Sequence, residues 1–135
     1  MKYSVVLPVY NEQENINSLN KRITKVFVEL KREYEIIFVN DGSHDKTKEI
    51  LEDLHNKNNN IKIINFSRNF GHQTAVTAGL DFASGDAVAI LDADLQDPPE
   101  ILPKFFAKLS QGYDVVYAIR KKRKEKILKI VAYSL

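Results

Sequence analysis

Two carboxylates follow an apolar segment near the middle of this 135-residue chain. Residues 87–91 are all apolar, which predicts a fully buried strand of a parallel sheet, and Asp92 and Asp94 come directly after it. Ligands of open α/β sheets bind at the carboxyl ends of the strands. Side chains two positions apart in an extended segment point the same way, so this pair is placed to hold Mg²⁺ or Mn²⁺ against a diphosphate. In the alternative interpretation, Asp94 and Asp97 cap the helix that follows.

Strands and helices alternate along the sequence. Apolar residues repeat at intervals of three and four from Ile16 to Leu30, which predicts an amphipathic helix, and the small residues of 71–83 predict another. Two more helices are predicted, one around Leu51 and one from Pro99 to Leu109, and the predicted strands are residues 3–9, 35–40, 61–66, 87–91 and 114–119. This order specifies an α/β fold with a mostly parallel sheet flanked by helices.

The loop after the first strand reads Pro8-Val9-Tyr10-Asn11-Glu12 and contains no glycine. A glycine-rich dinucleotide fingerprint and a P-loop motif are both absent from the sequence, which argues against those two classes of nucleotide-binding protein. A carboxylate and an amide in this loop suit a base or a ribose better than a phosphate. Asp41, after the second strand, is able to accept a hydrogen bond from the ring N–H of uracil or guanine, or to form a turn that leads into a helix.

Composition and charge narrow the class of protein further. The length predicts one domain, and the absence of cysteine excludes disulfides and thiolate metal sites. No apolar run has the length of a membrane span. Residues 120–135 contain seven Lys or Arg and one Glu, a local charge of +6, whereas residues 1–119 sum to −4. This basic segment predicts a polyanionic or membrane-surface partner.

The basic segment also has an amphipathic pattern if it is helical. At helical spacing, apolar residues from Ile127 to Val131 form one side, and Lys122, Lys126 and Lys129 form much of the other, as in helices that lie on a membrane surface. We therefore expect two parts, residues 1–119 as the catalytic domain and 120–135 as the start of a membrane-associated region. The chain is then either a fragment or the partner of a separate membrane subunit.

Four motifs resemble those of family 2 glycosyltransferases. They are Val-Val-Leu-Pro-Val-Tyr-Asn-Glu in the first strand, Val-Asn-Asp-Gly-Ser after the second, Ser-Arg-Asn-Phe-Gly-His-Gln after the third and Asp-Ala-Asp-Leu-Gln-Asp-Pro-Pro-Glu after the fourth. Within that family the chain is most similar to dolichyl- and undecaprenyl-phosphate sugar transferases. The resemblance implies a GT-A (Rossmann-like) fold and inverting transfer of a sugar from a nucleoside-diphosphate sugar.

The resemblance also implies roles for individual residues. The residues expected around the nucleotide-sugar are Pro8, Tyr10, Glu12, Asp41 and Asp92. Those expected to hold the divalent cation, Mg²⁺ or Mn²⁺, are Asp92, Asp94 and Gln96. Asp94 and Arg120 are the expected catalytic residues, with Arg120 on a phosphate. Arg68 and His72 lie in the loop after the third strand, and His72 is expected either to donate to a phosphate or to cap its helix.

The expected function is transfer of a hexose-type sugar from a UDP- or GDP-sugar to a polyprenyl phosphate, undecaprenyl or dolichyl, at the cytoplasmic face of the membrane. A phosphate acceptor is already anionic, and no isolated carboxylate or histidine after Asp97 demands the role of general base. One alternative acceptor is a glycan hydroxyl. Another alternative is a nucleotide-sugar-binding module without turnover. The expected partners are the donor, the lipid acceptor and the membrane surface, with a homo-oligomer possible and nucleic acid excluded.

Overall fold

Strands and helices alternate through most of the structure, as the sequence predicts. The computed structural model describes residues 1–94, 98–120 and 128–134. The chain forms two units, Met1–Glu100 and Ile101–Leu135. The first unit is an α/β domain with the elements β1 (Lys2–Val9), α1 (Ile16–Leu30), β2 (Glu33–Asn40), α2 (Thr47–Lys57), β3 (Ile61–Asn65), α3 (His72–Phe82) and β4 (Ala87–Ile90).

A four-stranded parallel sheet organises the first unit. Its order is β3-β2-β1-β4, and each neighbouring pair is parallel. In register, Val9 lies beside Asn40, and Val6 lies between Ile37 and Ile90. Because the strands run the same way, the loops that follow β1, β2 and β4 meet at one edge of the sheet. This edge is where the candidate site forms.

The predicted apolar stripe of α1 is confirmed. Its buried side chains are Ile16, Leu19, Ile23, Val26 and Phe27. The helix ends before Lys31, which has a left-handed φ of 53° and donates its N–H to the carbonyl of Val28. In α2, Leu51 is buried as predicted, while Ile50 and Leu54 are half-buried.

The small residues of α3 let it approach the sheet closely. Ala75 packs with Val6, Ile37 and Val39 in a buried cluster. A Cβ placed on Gly79 would overlap Cγ1 of Val6, so only glycine fits where α3 crosses β1. The predicted helix over 71–83 is thus confirmed to within one residue at each end.

The expectation that residues 87–91 are fully buried is wrong. Ala89 and Leu91 are buried, but Ile90 is 41% exposed and the remaining residues are half-buried. In the four-stranded sheet β4 is an edge strand, paired with β1 alone, so one side of it lacks a neighbouring strand. The strand also ends at Ile90, and Ala93 and Asp94 lie in a turn rather than in an extended segment.

The second unit contains a helix and a two-stranded sheet. A 3₁₀ turn (Pro99–Ile101) leads from the first unit into α4 (Leu102–Ser110), which is followed by β5 (Val115–Arg120) and β6 (Leu128–Tyr133). These two strands pair antiparallel, with Val115 beside Tyr133 and Arg120 beside Leu128. Among the residues that the structure describes, no helix is long and apolar enough to cross a membrane.

The expectation of a helix in the basic segment is wrong where the structure describes it. Leu128–Tyr133 is a strand, and residues 121–127 lie outside the described residues. Ile130, Val131 and Tyr133 are residue types that favour strands, and pairing with β5 gives the backbone of this segment hydrogen-bond partners along one side.

A buried carboxylate lies near the amino-terminal end of the sheet. Glu35 is 1% exposed and accepts hydrogen bonds from Ser4 Oγ at 2.6 Å, Lys62 Nζ at 2.9 Å and the Ser84 N–H at 2.6 Å. Burial raises the pKa of Glu35, but these hydrogen bonds outweigh it and lower the pKa from 4.5 to about 2. The ionised carboxylate therefore joins β1, β2, β3 and the loop before β4.

We predict that Glu35 makes stability depend on pH in the acid range. Because its pKa is lower in the folded state, its contribution is complete above the unfolded value of 4.5 and is lost as the pH falls toward about 2. That contribution is on the order of 3 kcal/mol. Urea unfolding of the parent and of Glu35→Gln should show a difference in free energy that shrinks between about pH 5 and pH 2. A difference that is constant over this range would contradict the prediction, and exposed Asp53→Asn serves as the control.

Candidate functional site

A cleft of about 390 Å³ opens at the carboxyl ends of β1, β2 and β4 and at the start of α3. All six predicted residues that lie in the described part of the first unit line it, namely Pro8, Tyr10, Glu12, Asp41, Asp92 and Asp94. Val9, Asn69, Gly71 and His72 complete the lining. Gln96 lies outside the described residues, and Arg120 is the last residue of β5 in the other unit, so the roles of these two residues stay predictions.

Five hydrogen bonds lock the loop after β1 to the loop after β2, and we call these contacts between residues 11–13 and 43–47 the loop clasp. In one direction, backbone N–H groups of the first loop donate to side chains of the second, Asn11 to Ser43 Oγ (2.9 Å), Glu12 to Thr47 Oγ1 (3.0 Å) and Gln13 to Asp45 Oδ2 (3.3 Å). In the other direction, the N–H of His44 donates to Asn11 Oδ1 (2.8 Å) and that of Lys46 to Gln13 Oε1 (3.1 Å).

Of the two cleft residues in the first loop, Glu12 belongs to the loop clasp and Tyr10 directly precedes it. Tyr10 is 42% exposed. It directly precedes Asn11, whose φ of 51° is left-handed. Glu12 accepts a hydrogen bond from Asn15 Nδ2 at 2.9 Å. Burial raises the pKa of Asp45, but hydrogen bonds from Thr47 and Gln13 lower it below its ordinary value. An ionised Asp45 is thus part of the clasp at neutral pH.

Asp41 binds the backbone of another loop. Its side chain is 4% exposed, Oδ1 accepts the N–H of Phe70 at 2.7 Å, and Oδ2 accepts the N–H of Gly71 at 3.2 Å. A carboxylate has further acceptor positions, so these two bonds leave capacity for a ligand. The side chain therefore organises the loop between β3 and α3 and also faces the cleft.

His72 connects α3 to the carboxylates that follow β4. Its Nε2 lies 3.0 Å from Oδ1 of Asp92, and because a carboxylate only accepts, Nε2 donates. The two side chains are 62% and 51% exposed, so this contact lies at the surface of the cleft. The helix-cap expectation for His72 is not met, since the imidazole bonds a carboxylate and α3 has no side-chain cap. The expected hydrogen bond from His72 to a phosphate stays a prediction.

The described lining of the cleft is acidic. It includes four carboxylates, Glu12, Asp41, Asp92 and Asp94, and no Lys or Arg. A diphosphate entering this cleft alone would be repelled, since like charges a few ångströms apart disfavour one another. Asp92 and Asp94 supply hard oxygen ligands beside the cleft, which fits Mg²⁺ or Mn²⁺ completed by diphosphate and water oxygens. The described residues contain no cluster of three metal-binding side chains, so a cation held by these two carboxylates would take its remaining ligands from elsewhere.

Sequence reasoning missed several residues that build the site. Asn69 and Gly71 line the cleft, and the partners in the loop clasp were not predicted. The signal for the clasp is the polar run from Ser43 to Thr47 directly after a buried strand, since such side chains commonly bind nearby backbone groups. The sequence alone does not identify the loop that they bind.

Comparisons with known proteins agree with this geometry. The profile of glycosyl transferase family 2 matches residues 4–134. The uncharacterized glycosyltransferase YkcC of Bacillus subtilis is 51% identical over 124 residues, covering 92% of this chain and 38% of that protein. The undecaprenyl-phosphate 4-deoxy-4-formamido-L-arabinose transferase of Proteus mirabilis is 45% identical over 125 residues, with coverage of 92% and 38%.

Solved structures show the same architecture. The crystal structure of Staphylococcus aureus TarS (residues 1–349) in complex with UDP superposes with a TM-score of 0.73 at 29% identity, covering 94% of this chain and 38% of that one. A mannosyltransferase of Pyrobaculum calidifontis in complex with GDP-Man and Mn²⁺ shares the fold, with a TM-score of 0.61 at 23% identity over 68% of this chain and 27% of that one. The present chain thus spans 38% of the length of the two curated relatives above.

We predict that the loop clasp stabilises the fold through Asn11 in two ways. Asn11→Ala removes the hydrogen bond that Asn11 accepts from the His44 N–H. Alanine also lacks the polar side chain that lets asparagine adopt a left-handed φ, so the combined loss in free energy of unfolding should be about 2 kcal/mol. Asn11→Gly removes the same bond but tolerates the φ, so it should lose about 1 kcal/mol less than Asn11→Ala. Urea unfolding measures both losses, and equal stability of the two variants and the parent would contradict the prediction.

Proposed function

Because the chain belongs to glycosyl transferase family 2, we propose that it binds a UDP- or GDP-sugar in the cleft and transfers a hexose-type sugar, with inversion, to a polyprenyl phosphate. The observation that carries the proposal is the convergence of six predicted residues on one cleft at the carboxyl edge of the sheet. With Asn69, Gly71 and His72 also in the lining, all four sequence motifs meet in one place, as a nucleotide-sugar site requires.

The nucleoside occupies the end of the cleft formed by β1 and β2. Tyr10 offers an exposed ring against which a base packs, and the loop clasp begins at the next residue, Asn11, and holds the backbone there without a ligand. Asp41 accepts a hydrogen bond from the ring N–H that uracil and guanine share. Pro8 and Glu12 line the same end of the cleft. TarS, at 29% identity, is a structure in complex with UDP, which supports a nucleoside diphosphate as the ligand class.

The diphosphate occupies the end of the cleft formed by the residues after β4. Asp92 and Asp94, with Gln96, would hold Mg²⁺ or Mn²⁺, which offsets the charge that develops on the departing diphosphate. Asp92 is kept in orientation by His72. Arg120 is assigned to a phosphate because its planar guanidinium matches phosphate oxygens.

The acceptor is proposed to be a phosphate because, in the described lining of the cleft, the groups able to take a proton already make hydrogen bonds within the protein or are assigned to the cation. Asp41 accepts two backbone N–H groups, Glu12 accepts the Asn15 amide, and His72 donates to Asp92. A phosphate monoester needs no deprotonation: its oxygen attacks the anomeric carbon as the bond from that carbon to the diphosphate breaks. The Proteus mirabilis relative, named for undecaprenyl phosphate, supports this acceptor class.

Transfer assays with radiolabelled donors test the acceptor. Labelled UDP- and GDP-sugars are offered with polyprenyl phosphate or with a glycan that carries free hydroxyls. Label recovered only in the lipid supports the proposal, and label recovered only in the glycan assigns the acceptor to a hydroxyl. Donor binding without transfer to either acceptor would identify a nucleotide-sugar-binding module without turnover.

We predict that donor binding requires a divalent cation through Asp94. Calorimetric titration with UDP and GDP, with and without Mn²⁺, should show binding of one nucleotide that EDTA abolishes. Asp94→Asn removes a charge at nearly constant shape and should lower kcat about a hundredfold, the effect of losing one preorganised electrostatic group. Asp81→Asn, on the exposed side of α3, is the matched control. Diphosphate affinity that is unchanged by EDTA would refute the cation site.

We also propose that the basic residues after Arg120 bind anionic lipid, on the evidence of the charge of +6 that residues 120–135 carry together. Each basic residue near an anionic surface contributes about 1 kcal/mol, so replacing Lys121, Lys122 and Lys124 by Gln should weaken liposome binding about a hundredfold. Flotation should increase with anionic lipid and decrease with salt. Salt-independent binding to neutral liposomes would contradict this proposal.

A further inference from the structure

Asp41 makes two hydrogen bonds that a residue reading only a base would not need. Both carboxylate oxygens accept backbone N–H groups, from Phe70 and Gly71, 29 and 30 positions along the chain. The carboxylate is almost fully buried. Removing a buried charged acceptor leaves both N–H groups without their partner, which costs more than the loss of an exposed bond. Asp41 therefore holds the end of the loop that leads into α3.

Gly42 brings the same loop against β2. A Cβ on Gly42 would overlap the backbone of Arg68 and Asn69, and its φ of 72° is left-handed. Phe70 packs edge-to-face against Phe66, with ring centroids 5.6 Å apart, and carries the Arg68 guanidinium 3.9 Å above its ring. The segment from Phe66 to Gly71 is thus held by backbone contact, by two aromatic contacts and by the Asp41 carboxylate.

The held loop ends at His72, which reaches the cation end of the cleft. Gly71, whose N–H bonds Asp41, directly precedes His72, whose Nε2 bonds Asp92. A continuous series of contacts therefore joins Asp41, directly after β2, to Asp92, two residues after the end of β4. Asp41 and Asp92 face the same cleft from these two positions.

We propose that Asp41 is a positioning residue for the cation end of the site, acting through the Phe70–Gly71 backbone and His72 to orient Asp92. The inference rests on the proposed function, in which Asp92 and Asp94 hold a cation against a diphosphate. It goes further by giving Asp41 an effect on the diphosphate that is independent of any contact with the base. A residue that only reads the base would leave binding of a ligand without a base unchanged.

The probe that separates these roles is Mn²⁺ with inorganic pyrophosphate, which contains no base. Asp41→Asn keeps the shape, but its amide accepts one of the two N–H groups and turns a donor toward the other. It should weaken pyrophosphate binding with Mn²⁺ about tenfold, close to the loss caused by His72→Ala. The double variant should lose little more than either single variant, since both changes break one series of contacts. Asp53→Asn, on the surface of α2, controls for charge.

A second variant leaves the Asp41 carboxylate intact. Gly71 has a φ of 103° and open space around its Cβ position, so Gly71→Ala strains the loop through its backbone. Gly71→Ala should weaken pyrophosphate binding with Mn²⁺, and its loss should not add to that of His72→Ala. If the added methyl merely blocked the cleft, the two losses would add. Gly112→Ala is the matched control, because Gly112 has a φ of 101°, equal open space and a position in the other unit.

Amide hydrogen exchange gives a measurement that is independent of binding. The Phe70 and Gly71 amides should exchange faster in Asp41→Asn, while the amides of β1 and α1 stay protected and show that the fold is intact. The proposal is overturned if pyrophosphate affinity is unchanged in Asp41→Asn, if the losses add fully, or if exchange at Phe70 and Gly71 is unchanged. If the parent binds neither nucleotide nor pyrophosphate, the proposed function fails, and with it the orienting role, while exchange still decides whether Asp41 holds the loop.

Discussion

The site depends on the parallel register of β1 with its two neighbours. Pairing of β1 with β2 and with β4 brings the loops after all three strands to one edge. The backbone continues this alignment past the strands, since the N–H of Asp41 donates to the carbonyl of Val9 at 2.9 Å and that of Leu91 to the carbonyl of Val6 at 3.0 Å. The cleft is therefore a consequence of strand order, and its residue types decide what it binds.

The sequence predicted well those structural features that a short-range pattern of residues determines. The stripe of α1 repeats at helical intervals and is buried as predicted, and the small residues of α3 fit its close approach to β1. The site residues from Pro8 to Asp94 were identified partly by position after a strand and partly by resemblance to a family, and the structure brings them to one cleft. Position explains Asp41, Asp92 and Asp94, because all strands of a parallel sheet have their carboxyl ends at the same edge, whereas the roles of Pro8 and Tyr10 came from the resemblance alone.

What the sequence predicted poorly depends on partners distant in the chain. The apolar segment 87–91 is consistent with any strand, but its exposure is set by the strands beside it, and β4 is at the edge of its sheet. The spacing of apolar residues near Leu128 fits a helix, yet pairing with β5 makes it a strand. The loop clasp and the bonds of Asp41 join residues about thirty positions apart, which no local pattern specifies.

The carboxylates at the two ends of the sheet have different surroundings. Near the amino-terminal end, Glu35 is buried and is neutralised by Lys62 and by the hydroxyl and amide donors around it. At the carboxyl end, four carboxylates line a cleft whose described lining contains no Lys or Arg. An acid that serves only the fold gains by being paired within the protein, whereas acids gathered around a cavity repel one another and reduce stability. The structure tolerates this arrangement because the loop clasp and the hydrogen bonds from Asp41 to Phe70 and Gly71 hold the loops in place against the repulsion. The charge of the cleft is left to be balanced by what it binds.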